Sequence, residues 1–67
     1  MTSRKYSSRE VLRILLKDGW MVKGQRGSHL QLVHPTKPGK VTVQHPRHEI
    51  ALPVLKSIEK QAGIRLD

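Results

Sequence analysis

The sequence predicts an α+β domain with the element order α-β-β-β-α, in which two helices cover one face of a three-stranded antiparallel sheet. Apolar residues recur at helical spacing near both ends of the chain, and polar and apolar residues alternate in between. Stretches with glycine and proline separate the alternating segments, as turns do. The 67 residues suffice for one domain, which we expect to span residues 1–67. A domain of this size buries only about 60% of its unfolded surface.

The first helix is predicted from about Ser8 to Asp18, after a loose, polar and basic start at residues 1–6. Ser7 and Glu10 match the S-x-x-E capping box, in which each side chain accepts a hydrogen bond from a free backbone N–H. Gly19 follows the last periodic residue, where a left-handed cap is favoured. The apolar face comprises Val11, Leu12, Leu15 and Leu16, with Ile14 at its margin, and the opposite face carries Arg9, Arg13 and Lys17.

Three short strands follow the helix. Residues 20–22 are predicted to form the first strand, and the following K-G-Q-R-G segment is predicted to form a turn. Trp20 is expected to lie in the core. From Ser28 onward the alternation sends Leu30 and Leu32 to the covered face and His29, Gln31 and Val33 to the open face. Residues 35–40 form a turn, and residues 41–44 form the third strand.

A second helix closes the domain after a polar, proline-containing connection that begins at His45. Pro53 suits the first helical position, and Leu55, Ile58 and Ala62 repeat at helical spacing. Gly63 then supplies a glycine cap, with Ile64 as its hydrophobic contact. Because a two-layer arrangement buries only one side of the sheet, the other face is expected to stay exposed to water.

Charge and composition narrow the class of partner. Thirteen Lys and Arg against five Asp and Glu give a formal charge of +8 and a pI near 10.7, so nucleic acid is the leading partner and an acidic protein the second. Cysteine is absent, and no apolar stretch approaches the roughly 18 residues of a membrane span. We therefore expect a cytoplasmic protein without a membrane partner.

Two common kinds of site are disfavoured. One Trp, one Tyr and no Phe leave too few aromatic rings for the stacking platforms of single-strand RNA binders. The four histidines, His29, His34, His45 and His48, suggest zinc only weakly, because no cysteine is present and no acidic residue lies close to His29 or His34 in sequence. We expect neither a metal nor another cofactor.

His29 is the candidate that remains. The alternation places it on the open face beside Lys23 and Arg26, which leaves open whether it is functional or simply a solvent-facing polar residue. RNA cleavage without a metal needs little more than such an imidazole, because the RNA supplies its own 2′-OH as nucleophile. A positioned base removes the hydroxyl proton. Cations and the N–H groups of the R-G-S turn can stabilise the charge that develops.

Three segments in order, K-D-G-W-M-V-K-G-Q-R-G-S-H-L-Q-L-V-H-P, V-T-V-Q-H-P-R-H-E-I and L-K-S-I-E-K-Q-A-G-I, carry a resemblance over nearly the whole chain. They resemble the HicA (YcfA-like) toxins of toxin–antitoxin systems. The resemblance implies a fold similar to the double-stranded RNA-binding domain, an endoribonuclease that cleaves mRNA without metal, and neutralisation by a HicB-type antitoxin. The catalytic histidine of that family lies in a G-S-H motif, and the resemblance assigns this role to His29.

The sequence departs from many family members at two points. Pro53 and Val54 stand where those members have a Gly-Thr pair, and Leu30 replaces a second histidine. The leading hypothesis is an mRNA-cleaving toxin with His29 as general base or acid, oriented by Gly27 and Ser28. Its supporting and RNA-binding residues are Lys23, Arg26, Gln31 and Arg47. The alternatives are a non-catalytic RNA-binding module of the same fold and an adaptor for an acidic protein.

Overall fold

The computed structural model describes residues 5–66 and confirms the predicted α+β fold with its element order. Its elements are α1 (Ser8–Lys17), β1 (Met21–Arg26), β2 (His29–Val33), β3 (Val41–Gln44) and α2 (Leu52–Ala62). The strands form one antiparallel sheet in the order β1-β2-β3. Within residues 5–66, neither helix has the length and apolar character that crossing a bilayer requires.

Both ends of α1 lie close to where the capping residues in the sequence predict them. The Ser7 hydroxyl accepts the Glu10 N–H at 3.2 Å and the Glu10 carboxylate accepts the Ser7 N–H at 3.0 Å, which completes the capping box. Asp18 caps the other end, and Gly19 follows with a φ of +107°. A Cβ at Gly19 would lie 2.7 Å from Nε2 of His34, so this position requires glycine for space as well as for backbone conformation.

The first strand is longer than predicted. Residues 23–26, which the sequence assigns to a turn, continue β1 with an irregularity between Val22 and Gly24. Arg26 is the Cα partner of His29, so only Gly27 and Ser28 form the connection. Gly27 has a φ of +59° and Ser28 has no positive φ, which matches the glycine-first pattern of a type II′ hairpin turn. The prediction of a five-residue turn was wrong because a two-residue loop allows pairing to continue to its base.

The core lies between the covered face of the sheet and the two helices. Leu30 and Leu32 are buried as predicted, while His29 is exposed and Gln31 and Val33 are partly exposed on the other face. The buried apolar residues are Tyr6, Val11, Leu15, Trp20, Leu30, Leu32, Val41, Val43, Ile50, Leu55, Ile58, Ala62 and Leu66. Trp20, with 1% of its surface exposed, is a core residue as expected.

Leu16 is an exception to the predicted apolar face, because 52% of its surface is exposed. Both helices pack mainly against β3, and every residue of β1 is exposed. Val22 pairs with the buried Leu32 and so belongs to the covered face, yet 49% of its surface is exposed. The helices therefore stop short of the β1 edge, which leaves Leu16 without a covering element.

The second helix and the start of the chain differ from expectation in detail. Ala51 is the N-cap of α2, so Pro53 occupies the second helical position and not the first. Gly63 caps the far end with a φ of +65°. Tyr6, assigned to a loose start, is 2% exposed and its carbonyl accepts the Ile50 N–H at 2.8 Å. Residues 1–4 of that predicted loose start lie outside the described residues.

A polar cluster joins the C-terminal ends of both helices to the β2–β3 turn. The Lys37 ammonium contacts the Asp18 carboxylate at 2.6 Å and donates to the Ala62 carbonyl at 3.0 Å. The hydrogen bond from Lys37 lowers the pKa of Asp18 below its ordinary value of 3.8. His34 contacts Asp18 through Nε2 and packs edge-on against Trp20, with ring centroids 5.2 Å apart.

Candidate active site

His29 is exposed at the centre of a row of side chains that crosses the open face of the sheet. Its Cα partner on β1 is Arg26, and its Cα partner on β3 is Gln44. Directly paired residues project to the same face with Cβ atoms about 4.5–5.5 Å apart. The imidazole is therefore flanked by a guanidinium on one side and by a carboxamide on the other, with solvent in front of it.

The turn before His29 is fixed from both sides. The Gln25 side chain donates to the Gly27 carbonyl at 3.0 Å, and the His45 backbone N–H donates to the Ser28 carbonyl at 2.7 Å. The second bond ties the turn to the end of β3. His29 thus directly follows a two-residue loop in which both carbonyls accept hydrogen bonds. These bonds fix the backbone that carries the imidazole.

Arg47 reaches the same row from the segment that follows β3. Its Nη1 donates to Oε1 of Gln44 at 3.2 Å, and its Nε donates to the Glu49 carbonyl at 3.3 Å. Because Gln44 is the Cα partner of His29, the guanidinium lies one side chain away from the imidazole. Arg26 and Arg47 therefore place one cation at each end of the row that His29 occupies.

Ser8, at the start of α1, holds the segment that carries Arg47. Its hydroxyl accepts the Arg47 N–H at 2.9 Å and contacts Nδ1 of His45 at 2.7 Å, while its backbone N–H donates to the Arg47 carbonyl at 2.9 Å. Ser8 is only 1% exposed. A serine distant in sequence thus fixes the backbone from which the Arg47 side chain extends toward Gln44.

The remaining predicted site residues, Gln31, Lys23 and Ser28, have less direct connections to the His29 ring. Gln31 shares the open face, two residues along β2 from His29, a distance of about 6–7 Å along the strand. Lys23 is exposed at the β1 irregularity and has no Cα partner on β2. The Ser28 hydroxyl makes no hydrogen bond with the His29 ring in the described part of the chain. The structure therefore groups His29 with Arg26 and Arg47, and does not bring Lys23 into that row.

Hydrogen bonding separates the four histidines. Nδ1 of His34 accepts the N–H groups of Thr36 and Lys37 at 3.0 and 3.1 Å, so its Nε2 carries the proton and donates to the Asp18 carbonyl. His45 is held by Ser8. The rings of His29 and His48 are exposed and make no hydrogen bond to any residue within 5–66. These two imidazoles therefore keep both ring nitrogens free of hydrogen bonds to the described residues.

No carboxylate supports His29 in the described region. The four acidic residues found there have other contacts: Glu10 in the capping box, Asp18 with Lys37, Glu49 with Lys5, and Glu59 with the Leu66 N–H. Among residues 5–66, no group of three or more His, Asp or Glu side chains is arranged to hold a metal ion. The site therefore consists of one accessible imidazole with cationic and amide neighbours.

Sequence reasoning missed Gln44 and Ser8. Gln44 belongs to the polar half of the V-T-V-Q alternation, which places it on the open face, but only the register between β2 and β3 makes it the partner of His29. The role of Ser8 had no local signal, because its contacts lie 37 and 39 residues away.

Comparison with known proteins bears on the family to which the chain belongs. The model of a family described as the HicA toxin of bacterial toxin–antitoxin systems matches residues 8–64. That range contains all five elements and every residue of the His29 row. A comparison with curated proteins finds no match.

Proposed function

The chain belongs to the HicA toxin family, the toxin component of bacterial toxin–antitoxin systems, and on that premise we propose that it is an endoribonuclease that cleaves mRNA with His29 as its catalytic base. The observation that carries the proposal is the exposed imidazole between Arg26 and the Gln44–Arg47 pair. Its ring nitrogens make no hydrogen bond to the described residues, so they are free to act on a substrate proton.

The chemistry that we propose needs no group beyond these side chains and the RNA itself. His29 removes the proton from a ribose 2′-OH, and the oxygen forms a bond to the adjacent phosphorus. The bond from phosphorus to the 5′-oxygen breaks, and that oxygen takes a proton from water. Arg26 and Arg47 stabilise the negative charge that develops on the phosphoryl oxygens. The products are a 2′,3′-cyclic phosphate and a 5′-hydroxyl.

The supporting residues have distinct parts in this proposal. Gly27 and Ser28 form the tight turn that places His29 at the start of the central strand, and Ser28 is anchored through its carbonyl. Gln31 offers an amide to the RNA on the same face, and Lys23 adds charge at a greater distance. The family implies an antitoxin partner. We propose that this partner is a HicB-type protein that covers the His29 row, and that the toxin acts on mRNA in the cytoplasm.

The test compares rigorously purified wild-type protein with His29→Ala and His29→Gln. Both variants should keep the wild-type melting temperature, because the ring is exposed, and both should still bind RNA. Cleavage should fall by about 10²- to 10⁴-fold, the usual contribution of general base catalysis. Thr42→Ala, an exposed change on the same face of β3, should keep its cleavage. Wild-type cleavage should persist in EDTA and yield cyclic or 3′-phosphate ends.

Retained cleavage by His29→Ala would refute the assignment. The second candidate, a non-catalytic RNA-binding module, is favoured by the charge of +8 and shares the salt-dependent RNA affinity. The two differ in one result, because a binding module produces no new RNA ends at any concentration of wild-type protein. An adaptor for an acidic protein would have no RNA affinity.

A further inference from the structure

A second basic surface lies beside the His29 row, where the start of α1 faces the segment after β3. The two elements enclose a surface concavity with a volume of about 490 Å³, whose charged and imidazole side chains are Arg9, His45, Arg47 and His48. Its remaining lining residues are Ser7, Ser8 and Pro46, so it contains no carboxylate. We call it the α1 concavity. Its size is within the range of about 300–1,000 Å³ that small-molecule sites occupy.

The side chains of the α1 concavity are suited to an anion. Arg9 and His48 are exposed and have no ion pair or hydrogen-bonding partner within residues 5–66. Arg9 lies in the first turn of α1, where the helix dipole disfavours a cation, so its charge does not serve the stability of the helix. The nearby Glu10 carboxylate is held in the capping box and does not line the concavity.

The α1 concavity and the His29 row share one residue. Arg47 lines the concavity and also donates to Gln44, the Cα partner of His29. Ser8 fixes the backbone of this segment from inside the domain. A chain of phosphates that passes His29 can therefore continue over Arg47 and reach Arg9 and His48 without crossing an acidic side chain of the lining.

We propose that the α1 concavity binds the phosphodiester backbone of RNA next to the bond that is cleaved, so that the substrate runs from Arg26 across His29 and Arg47 to Arg9 and His48. This inference rests on the proposed function and adds to it the path along which the RNA crosses the strands. Arg9 and His48 bind substrate here and take no part in proton transfer.

The test uses Arg9→Gln and His48→Gln in a His29→Ala background, so that RNA stays intact during binding. The probe is a single-stranded oligoribonucleotide, and its affinity is measured over a range of salt concentrations. The control is Lys17→Gln, an exposed cation at the opposite end of α1, about 12 Å from Arg9 along the helix axis. Arg9→Gln removes an exposed side chain, so the fold should persist, which a thermal melt verifies.

For Arg9→Gln we expect weaker binding to every RNA sequence and a log–log salt slope smaller by about 0.7, the value for one lost phosphate contact on a single strand. His48→Gln should also weaken binding to every RNA sequence, and Lys17→Gln should leave the slope unchanged. With His29 restored, Arg9→Gln should slow the cleavage of long RNA and spare the shortest cleavable RNA.

Equal slopes for Arg9→Gln and Lys17→Gln would overturn this inference and leave the proposed function intact. Failure of the wild-type protein to bind any RNA would instead overturn the proposed function. If Arg9→Gln weakened binding to a poly-glutamate peptide but not to RNA, the α1 concavity would belong to an acidic protein partner, and the inference would also be wrong.

Discussion

Replacing Ser8 with alanine tests whether one buried hydroxyl holds the Arg47 segment in place. The change removes the acceptor of the Arg47 N–H, at 2.9 Å, the partner of Nδ1 of His45, at 2.7 Å, and a donor to the Arg47 carbonyl, at 3.2 Å. It keeps the bond from the Ser8 backbone N–H to that carbonyl. A typical hydrogen bond makes a net contribution of about 0.5–1.5 kcal/mol to stability, and a buried polar group left without a partner costs about 1–3 kcal/mol. Since Arg47 is exposed and His45 partly buried, water replaces part of the loss.

We therefore expect Ser8→Ala to lower the free energy of unfolding by about 2 kcal/mol, because the bonds of the hydroxyl are lost and water replaces them in part. In a domain of this size, each kcal/mol shifts the melting temperature by about 4–8 °C. Calorimetry or circular dichroism should therefore show a decrease of about 8–16 °C.

The matched control is Ser57→Ala, which removes an exposed hydroxyl that accepts a hydrogen bond from the Gln61 side-chain amide at 3.0 Å. Its effect should stay within about 0.5 kcal/mol of zero, as is usual for surface changes. Equal melting temperatures for Ser8→Ala and Ser57→Ala would refute the reasoning, because the buried hydroxyl would then contribute no more than an exposed one. The loosened segment should also weaken RNA binding through Arg47.

Two further predictions concern the His29 turn and the Asp18 cluster. Gly27→Ala should lower the free energy of unfolding by about 1–2 kcal/mol, because a φ of +59° is unfavourable for a residue with a Cβ. The added Cβ meets no atom within 4 Å, so the cost is conformational and not steric crowding by neighbours. Urea denaturation measures the change. For Asp18→Asn we expect a loss of stability at neutral pH that shrinks as the pH falls below 3.8. The pKa of Asp18 is lowered by the Lys37 ammonium, so its stabilising contribution is present above the unfolded value and disappears as the pH falls through the folded one.

Each of these predictions has its own control. Gly24 has no positive φ and open space around it, so Gly24→Ala should change stability little, and an equal loss at Gly24 and Gly27 would contradict the conformational argument. For Asp18 the control is Glu49→Gln, since Glu49 meets Lys5 at 3.8 Å with both side chains largely exposed. A stability difference between wild type and Asp18→Asn that did not change between neutral and acidic pH would contradict the assignment of the ion pair.

Local signals predicted most of the fold and the exposure of His29. The capping box at Ser7, the alternation around Leu30 and the glycine cap at Gly63 each depend on residues within a few positions of one another. Errors occurred where a boundary depended on a distant element. The strand β1 runs to Arg26 because β2 pairs with it there, and Leu16 is exposed because the helices pack over β3 and leave the β1 edge uncovered.

By itself the amino-acid sequence determined the order of the elements, the basic charge and the face on which His29 lies, because helical spacing, strand alternation and turn chemistry act over short stretches of chain. Only the tertiary structure decided what stands beside that imidazole. The register of β2 against β3 makes Gln44 its partner, and Ser8 fixes the backbone of Arg47 from 39 residues away in the sequence. Such contacts form when separate elements pack together, and no local pattern encodes them.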